Sequence, residues 1–401
     1  MSVNKSASAP PLDGIKVLDL SRVLAGPWAT MTLGDLGAEI WKIENPADGD
    51  ETRSWSPPAY RGTSTYYLAV NRNKSSLALD FRTERGQEIV RELAQRADIL
   101  VENYLTGTLA RYGLDYDSLA AVNPRLIYCS FSGYGRTGSL ATRAGYDFLI
   151  QAESGLMSIN GEPGGKPHKF GVAISDLLAG TYGTQAILAA LYARERTGTG
   201  QLIDIALHDA SVAALSNVAS ASLNAGVKAK RYGNAHASIV PYQTFDAADA
   251  SFVLACANNR QFRDLCASVI DRPDLPVDAR FATNTLRVTN RDALAAILAE
   301  CFASRSCDDV IAACRAVNVP AGRVRTVEEV LASPEVAERG MVYEAAGGVR
   351  FTGSPMHFSA TPVRTPSAPP ALGEHSDAIL RTVLGYDDDR LRDLRAANVI
   401  R

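Results

Sequence analysis

Short apolar runs separated by amphipathic stretches follow one another through the first half of the chain. Each run has the continuous apolar character of a strand that is buried on both faces. The stretches between them, such as residues 83–96, repeat their apolar positions with the spacing of a helix. The predicted extended segments are residues 15–20, 38–44, 66–70, 76–81, 99–101, 126–131 and 202–206. This alternation predicts an α/β fold with a doubly wound, mostly parallel, Rossmann-like sheet and helices on both faces.

The pattern changes near residue 226. Residues 242–245 and 251–256 are predicted to form a β-hairpin, and helices are predicted to follow it. We therefore predict a large domain built from both chain ends, with a smaller α+β domain between them. The predicted parts are 10–225 for the first part of the large domain, 226–325 for the small domain, 326–345 for a linker that begins with a charged connecting helix (326–339), and 346–401 for a return segment ending in a helix at 388–397.

Composition narrows the class of protein. The chain has 401 residues, 46% of them hydrophobic and 21% charged, with a formal net charge of −3. These values are typical of a globular protein. The charges are scattered along the chain and do not form the cluster of Lys and Arg that is typical of nucleic-acid-binding proteins. No apolar run approaches the roughly 18 residues of a membrane span, so no membrane partner is expected. Residues 1–11 lack the apolar core of a signal peptide and are predicted to be a short disordered lead.

The cysteines and histidines give no metal-binding pattern. The six cysteines contain no C-x-x-C pair and fall mostly within apolar segments, which is typical of reduced thiols in a cytoplasmic protein. The five histidines are scattered, with no H-E-x-x-H motif. We expect no metal site.

A glycine-rich stretch, G-Y-G-R-T-G at residues 133–138, directly follows a predicted strand. It has the literal form of a dinucleotide-binding fingerprint. However, residues 139–145 do not have a helical pattern, and the acidic strand end that the fingerprint requires is missing. The pattern favours a glycine-rich turn.

The most informative stretch is residues 171–200, where a long helix rich in small residues begins near Ser175 and Asp176 and stops at the Thr-Gly-Thr-Gly of 197–200. Asp176 is predicted to lie at the helix entrance, where a carboxylate can accept backbone N–H bonds and is favoured by the positive end of the helix. Two interpretations stay open on position alone. Asp176 is an N-cap, or it is a carboxylate held ionised as a nucleophile.

Several segments together carry a family resemblance. They are LDGIKVLDLSRVLAGP (12–27), LGDLGAEIWKIE (33–44), NRNKSS (71–76), VENY (101–104), RAGYD (143–147), SDLLAG (175–180), RTGTGQ (196–201) and LGEHS (372–376). In these segments the chain resembles the family III CoA-transferases (the CaiB/BaiF superfamily), a group that includes the α-methylacyl-CoA racemases. RYGNAHASIVPYQ (231–243) looks most like members that move CoA from succinyl-CoA to another dicarboxylate.

The resemblance implies a fold, an assembly and a reaction. It implies a large doubly wound domain, a smaller domain and an interlocked homodimer. Asp176 is implied to attack an acyl-CoA and to pass through mixed-anhydride and aspartyl-CoA thioester intermediates. No tightly bound cofactor is expected, since coenzyme A enters as the thioester substrate. The acceptor is expected to be a short (di)carboxylic acid.

The resemblance also assigns binding residues. The implied CoA contacts are Leu24, Ala25, Leu79, Arg82, Asn103, Tyr104, Arg111, Arg143, Tyr146 and Asp147. Because guanidinium groups suit phosphates, Arg82, Arg111 or Arg143 is expected to hold the CoA phosphates, with a solvated surface charge as the plain alternative for each. The implied acceptor contacts are Arg72, Arg231, Gly233 and His236.

Two other functions are weighed against CoA transfer. The racemases carry His before the Asp of a G-H-D motif, whereas this chain has Tyr146 before Asp147. A tyrosine, with a reference pKa of about 10, is a poor base at neutral pH, so the pattern favours a transferase. The remaining alternative is a CoA-binding protein without catalysis.

Overall fold

The computed structural model describes residues 9–401, and residues 1–8 of the predicted lead lie outside it. The chain divides into two compact units. The first unit contains the residues up to 156 together with 169–226 and 334–401, and the second contains 157–168 and 227–333. Within the described part of the chain, no helix is both long and apolar enough to cross a membrane.

The strands and helices of both units are numbered in chain order. The strands are β1 (Lys16–Asp19), β2 (Glu39–Glu44), β3 (Ala59–Tyr60), β4 (Thr63–Ser64), β5 (Lys74–Ala78), β6 (Ile99–Glu102), β7 (Ile127–Ser132), β8 (Leu202–Ala206), β9 (Tyr242–Asp246), β10 (Ser251–Ala255), β11 (Ala321–Arg323), β12 (Val342–Glu344) and β13 (Arg350–Thr352). The helices are α1 (Ala25–Asp35), α2 (Thr65–Val70), α3 (Glu84–Ala94), α4 (Tyr116–Ala120), α5 (Asp147–Glu153), α6 (Leu156–Ile159), α7 (Ile174–Thr197), α8 (Leu207–Ala213), α9 (Ser216–Ala225), α10 (Asn259–Ser268), α11 (Asn284–Thr289), α12 (Arg291–Phe302), α13 (Cys307–Ala316), α14 (Val327–Leu331), α15 (Pro334–Glu338), α16 (Ser376–Leu384) and α17 (Asp388–Ala396).

The first unit is organised around a six-stranded parallel sheet in the order β5-β2-β1-β6-β7-β8. Val17 pairs with Ile40 on one side and with Ile99 on the other. Strand order turns outward in both directions from β1 and β6, as in a doubly wound fold. The predicted fold class is confirmed.

Apolar side chains cover both faces of this sheet. On one face Leu18 and Leu100 pack in one cluster with Leu391 of α17. On the other face Val17 and Ile99 pack with α1 and α7. Alternate residues of a strand point to opposite faces, so a strand covered on both sides must be apolar throughout. The last helix therefore returns to the first unit, as predicted.

The second unit is a three-stranded sheet, β11-β10-β9, with helices α10 to α13. Phe252 of β10 lies opposite Phe245 of β9 in an antiparallel pair, which confirms the predicted hairpin. The two rings share a core with Phe302 and buried cysteines. The α+β character of this part of the chain was predicted from the same alternation.

Three local predictions differ from the structure. Residues 66–70 are helical in α2, because the Ser64 hydroxyl accepts the Tyr66 N–H and caps a helix whose aromatic residues suggest a strand. Residues 157–168 belong to the second unit, where Arg231 donates to the carbonyl oxygens of Ser158 and Gly165. The helix predicted at 326–339 is two short helices, since Pro334 begins a new one.

Candidate active site

The turns at the carboxyl ends of the parallel strands surround a cavity of about 260 Å³ with Asp176 in its wall. We call it the aspartate cavity. Its wall includes the β1–α1 turn and the segments that follow β6 and β7. Open parallel sheets bind ligands at this edge because the connecting loops converge there. All of its lining residues belong to the first unit.

Asp176 is the third residue of α7, with Ala173 in the cap position. The interpretation of Asp176 as the N-cap is therefore wrong. Its carboxylate instead lies near the backbone N–H of Ala25, the first residue of α1, and this N–H lowers its pKa. Two helix starts thus meet at one carboxylate.

Glycine allows the close approach of α1 and α7. A Cβ atom at Gly180 would lie 2.7 Å from the carbonyl oxygen of Ala25 and 2.9 Å from Cδ1 of Trp28. One turn further on, a Cβ atom at Gly183 would lie 2.2 Å from the ring of Phe131. The small residues after Asp176 are therefore required by packing.

Asp147, the first residue of α5, holds the start of α7 through hydrogen bonds. Its Oδ1 accepts the Ser175 N–H at 2.8 Å, and its Oδ2 accepts from the Gln151 side chain at 2.7 Å. Gln151 in turn accepts the Phe170 N–H, so the chain leading into the helix is held as well. Asp147, a predicted CoA contact, does not line the cavity and instead orients the helix that carries Asp176.

The electrostatics of Asp176 differ from the expectation. Burial, and after it the negative charge of Asp147, raise the pKa of this carboxyl from 3.8 to about 7 against the lowering effect of the Ala25 N–H. Desolvation thus outweighs the helix start, which was expected to hold the carboxylate ionised. The shift identifies a titratable group poised near neutral pH in a cleft, as functional carboxylates often are.

A second cavity of about 310 Å³ adjoins the first, and its wall contains three cations and five carboxylates. We call it the arginine cavity. Both cavities share Arg22, Glu51 and Tyr104 in their walls, so they form one continuous groove. The guanidinium of Arg22 lies 4.5 Å from the centre of the Tyr104 ring and pairs with Glu51. Arg82, whose side chain is 59% exposed, lies in the same wall and pairs with Asp80.

The chain can now be compared with known proteins. The model of CoA-transferase family III matches residues 12–376. The chain belongs to this family. It is 43% identical to a succinyl-CoA:glutarate CoA-transferase of Homo sapiens, over 97% of this chain and 90% of the relative. It is also 43% identical to a succinate–glutarate CoA-transferase of Agrobacterium fabrum, over 92% and 95% of the two chains.

A solved member of the family has the same fold. It is a CAIB/BAIF family protein from Brucella suis, with a TM-score of 0.85 and 46% identity, covering 94% of this chain and all of the other. The family resemblance read from the sequence is confirmed by these matches.

Most of the residues assigned to CoA binding in this CoA-transferase line the groove. Those in the aspartate cavity are Leu24, Ala25, Asn103, Tyr104, Arg143 and Tyr146, and those in the arginine cavity are Leu79, Arg82 and again Tyr104. Besides Arg82, which pairs with Asp80, two of them already have protein partners. The Asn103 amide accepts the Arg22 N–H at 2.8 Å and donates to the Arg22 carbonyl at 2.6 Å. Arg143 makes a bidentate pair with Glu153.

Two predicted cations lie elsewhere. Arg111 is exposed and lines neither cavity. Arg72 is buried and makes a bidentate pair with Asp35 at the end of α1. A buried guanidinium with a matched carboxylate is already neutralised, so Arg72 is corrected from a substrate cation to a structural one.

The assigned residues of the second unit have local partners. The Gly233 N–H donates to the carbonyl oxygen of Gly161, and Gly233 has a φ of +57°. His236 Nδ1 accepts the Ser238 N–H, and its ring packs on Tyr242. The segment that contains them is held in a defined conformation.

Arg22, Val23 and Glu51 are among the groove residues that were not predicted from the sequence. Arg22 and Val23 directly follow β1, and the rule that ligands bind at carboxyl strand ends could have identified them. Glu51 follows β2 by a longer loop and has no comparable signal. Within residues 9–401, no cluster of His, Cys, Asp or Glu side chains could hold a metal ion.

Proposed function

We propose that this CoA-transferase moves CoA from succinyl-CoA to a short dicarboxylic acid, with Asp176 as the covalent nucleophile. The observation that carries the proposal is a carboxylate at the start of α7 whose cavity continues into a groove lined by arginines. A thioester in the aspartate cavity and its phosphates in the arginine cavity would use both parts. The names of the relatives from Homo sapiens and Agrobacterium fabrum support succinate and glutarate as the type of acid.

The first half of the reaction loads the enzyme. A carboxylate oxygen of Asp176 attacks the thioester carbonyl, and the C–S bond breaks to release the CoA thiolate and leave a mixed anhydride. The thiolate then attacks the aspartyl carbonyl and expels succinate, which leaves CoA bound to Asp176 as a thioester. Covalent catalysis of this kind divides one difficult step into easier ones.

The second half unloads the enzyme in the same way. The acceptor carboxylate attacks the aspartyl thioester and expels the CoA thiolate, which forms a second anhydride. The thiolate attacks the acyl carbon of the acceptor, and the Asp176 carboxylate leaves. Charge, protons and CoA are balanced over the cycle, so no co-reactant is needed.

The start of α1 supplies a donor for the negative oxygen that develops in the two attacks on the aspartyl carbonyl. The Ala25 N–H points at the Asp176 carboxylate, and it belongs to the first turn of a helix, where N–H groups lack intrahelical partners. Pro27 has no N–H to offer. The Ala25 N–H is thus the proposed main-chain oxyanion donor.

The proposal is tested with succinyl-CoA and a panel of acids that includes glutarate, malate, itaconate, mesaconate and oxalate. Formation of the new acyl-CoA and free succinate supports transfer. Succinyl-CoA with hydroxylamine or borohydride should also modify Asp176, seen by peptide mass spectrometry. Epimerisation of a 2-methylacyl-CoA without any acceptor acid would instead support a racemase, and CoA binding with no turnover would support a binding protein.

The rate of transfer should depend on the ionisation of Asp176. Only the deprotonated carboxylate attacks, so kcat/KM for succinyl-CoA should rise with pH and reach half its plateau near pH 7, a rise that we call the acid limb. Asp147→Asn removes a charge that raises this pKa, and the acid limb should move to lower pH. Asp117→Asn, at an exposed aspartate outside both cavities, is the control and should leave the limb in place. A limb that D147N does not move would contradict this electrostatic account.

Arg82 is proposed to bind the CoA phosphates. Arg82→Ala should raise KM for succinyl-CoA about tenfold with little change in kcat, because a phosphate contact far from the reacting carbonyl contributes to uniform binding. The same variant should discriminate less between CoA and dephospho-CoA donors. Arg85→Ala, an exposed arginine of α3 outside both cavities, is the control. Equal effects of the two variants would remove Arg82 from the phosphate site.

Arg143 is proposed to face the distal carboxylate of the acceptor, since it is a cation in the wall of the aspartate cavity. Arg231, Gly233 and His236 stay predictions for acceptor binding.

The homodimer and the cytoplasmic location are also proposals. None of the ten residues of α9, all of them described, is buried, and Leu223 is 85% exposed. Tyr182 and Val212, on the neighbouring helices α7 and α8, are exposed as well. A second copy of the chain is the proposed cover for this apolar surface. Sedimentation at the mass of two chains would support it, and sedimentation at the mass of one would contradict it.

A further inference from the structure

The turn from β1 to α1 is held by side chains that come from other parts of the sheet. Lys42 Nζ donates to the Ser21 carbonyl at 2.9 Å. The Asn103 amide brackets the backbone of Arg22. The Asp50 carboxylate accepts the Val23 N–H at 3.3 Å. Three successive residues of the turn are thus fixed from outside it.

Val23 is the unusual member of this turn. Its φ is +70°, in the left-handed region that β-branched residues avoid. Such a conformation persists only where the surroundings impose it. Two residues further on, Ala25 begins α1 and shares the wall of the aspartate cavity with Asp176, where its N–H lowers the pKa of that carboxyl. The direction of that N–H therefore depends on the path of the chain at Val23.

Asp50 is anchored by a fully buried ion pair. Lys42 Nζ lies 2.9 Å from Asp50 Oδ2, and neither side chain is exposed. The Thr52 N–H and hydroxyl also donate to Asp50, at 3.0 and 2.7 Å. Burial alone would raise the pKa of Asp50, but Lys42 and the Thr52 donors hold it at about 2. The acceptor of the Val23 N–H is thus ionised at every pH at which the enzyme would work.

We propose that the Lys42–Asp50 pair is a positioning device that holds Val23 in its left-handed conformation and thereby aims the Ala25 N–H at Asp176. Lys42 lies on β2, so the Lys42–Asp50 pair ties the turn before α1 to a strand of the central sheet. Asp50 and Lys42 are positioning residues in this arrangement, because they act on Asp176 through the backbone of the turn. The inference rests on the role of Asp176 in the proposed function.

The expected signature is a shift of the Asp176 titration. The groups that act on Asp176 are the Ala25 N–H from α1, which lowers its pKa, and Asp147 from α5, which raises it. Tyr66 of α2 also faces it, since Asp176 is among the charges that raise the Tyr66 pKa. If the Ala25 N–H turns away, the lowering contribution is lost and the acid limb of kcat/KM must move to higher pH.

The test compares Asp50→Asn with a rescue and a control in the full-length protein. D50N should lower kcat with succinyl-CoA and glutarate at least tenfold and move the acid limb upward by about half a pH unit. Adding Val23→Gly should restore most of the loss, because glycine adopts positive φ without being forced. Asp35→Asn breaks the buried Arg72–Asp35 pair at the far end of α1. D35N should lower the melting temperature and leave the limb in place.

The outcomes separate this inference from the proposed function. An unmoved limb in D50N, or a loss that Val23→Gly does not restore, overturns the positioning role. If D50N does not fold, Lys42→Met with D50N removes the unpaired cation, and the same two criteria apply. A wild-type enzyme that transfers no CoA and forms no Asp176 adduct would overturn the proposed function itself, whatever the variants do.

Discussion

Replacing Asp176 by asparagine should lower kcat at least a thousandfold and abolish the covalent adduct. A neutral amide cannot attack the thioester, while the shape of the side chain and the start of α7 are kept. Removal of a covalent nucleophile commonly costs several orders of magnitude in rate. The measurement is steady-state transfer from succinyl-CoA together with hydroxylamine trapping. Asp117→Asn is the matched control, since Asp117 is also a first-turn aspartate of a helix but is exposed and outside both cavities.

The same substitution should stabilise the folded protein at alkaline pH. The pKa of Asp176 is raised from 3.8 to about 7, so folding disfavours the charged form. The cost is absent below pH 4, grows between pH 4 and 7 and is complete above it. One pKa unit corresponds to about 1.4 kcal/mol. Because Asp176 is partly exposed and solvent screens its charge, we expect the ionised carboxylate to destabilise the folded state by about 2 kcal/mol. D176N should therefore melt higher than the wild type at pH 8 and not at pH 4.

These two measurements test different properties of one residue. An active D176N with a normal adduct would remove Asp176 as the nucleophile. An inactive D176N without the gain in stability at pH 8 would keep the nucleophile and contradict the desolvation that raises its pKa.

Gly180→Ala is expected to have the second largest effect. The added Cβ would lie 2.7 Å from the Ala25 carbonyl oxygen, and a backbone atom in a packed helix cannot move aside cheaply. Helices α1 and α7 must then separate, which displaces the Ala25 N–H from Asp176. We expect a loss of about 2 kcal/mol of stability and a fall in kcat of about a hundredfold, since positioning errors of this size are costly.

A matched control keeps the chemistry of the change and removes the clash. Gly322→Ala adds the same methyl group in β11, where no atom lies within 4 Å of the added Cβ. It should change neither the melting temperature nor kcat measurably. If G180A retains wild-type activity while losing stability, the approach of α1 to Asp176 is not needed for catalysis.

Much of the fold was accessible from the sequence because a sheet buried on both faces imposes a simple pattern. The runs around Val17, Ile40 and Ile99 are apolar throughout, and each is a strand of the parallel sheet. The failures were local. The Tyr66 segment has strand-like residues, and only the hydrogen bond from its backbone to Ser64 makes it helical.

The site was predicted less completely than the fold. Asp176 and the groove residues Leu24, Tyr104 and Arg82 were identified through family motifs, and they do line the groove. Arg72 was misassigned because its partner, Asp35, is distant in sequence and close in space. The sequence around an arginine does not show which distant carboxylate will pair with it in the folded protein.

The sequence by itself determined the order of the strands and helices, the family and the presence of an aspartate in the first turn of a small-residue helix. The alternation of strands and helices follows from periodicity and residue type, which are local properties, and the family follows from the resemblance of its motifs. Only the tertiary structure decided that the start of α1 lies beside Asp176, that burial and Asp147 raise the pKa of Asp176, and that Asp50 accepts the Val23 N–H in the turn before α1. Those features depend on distances and solvent exclusion among residues far apart in the chain, and they come into existence when the sheet and its helices pack.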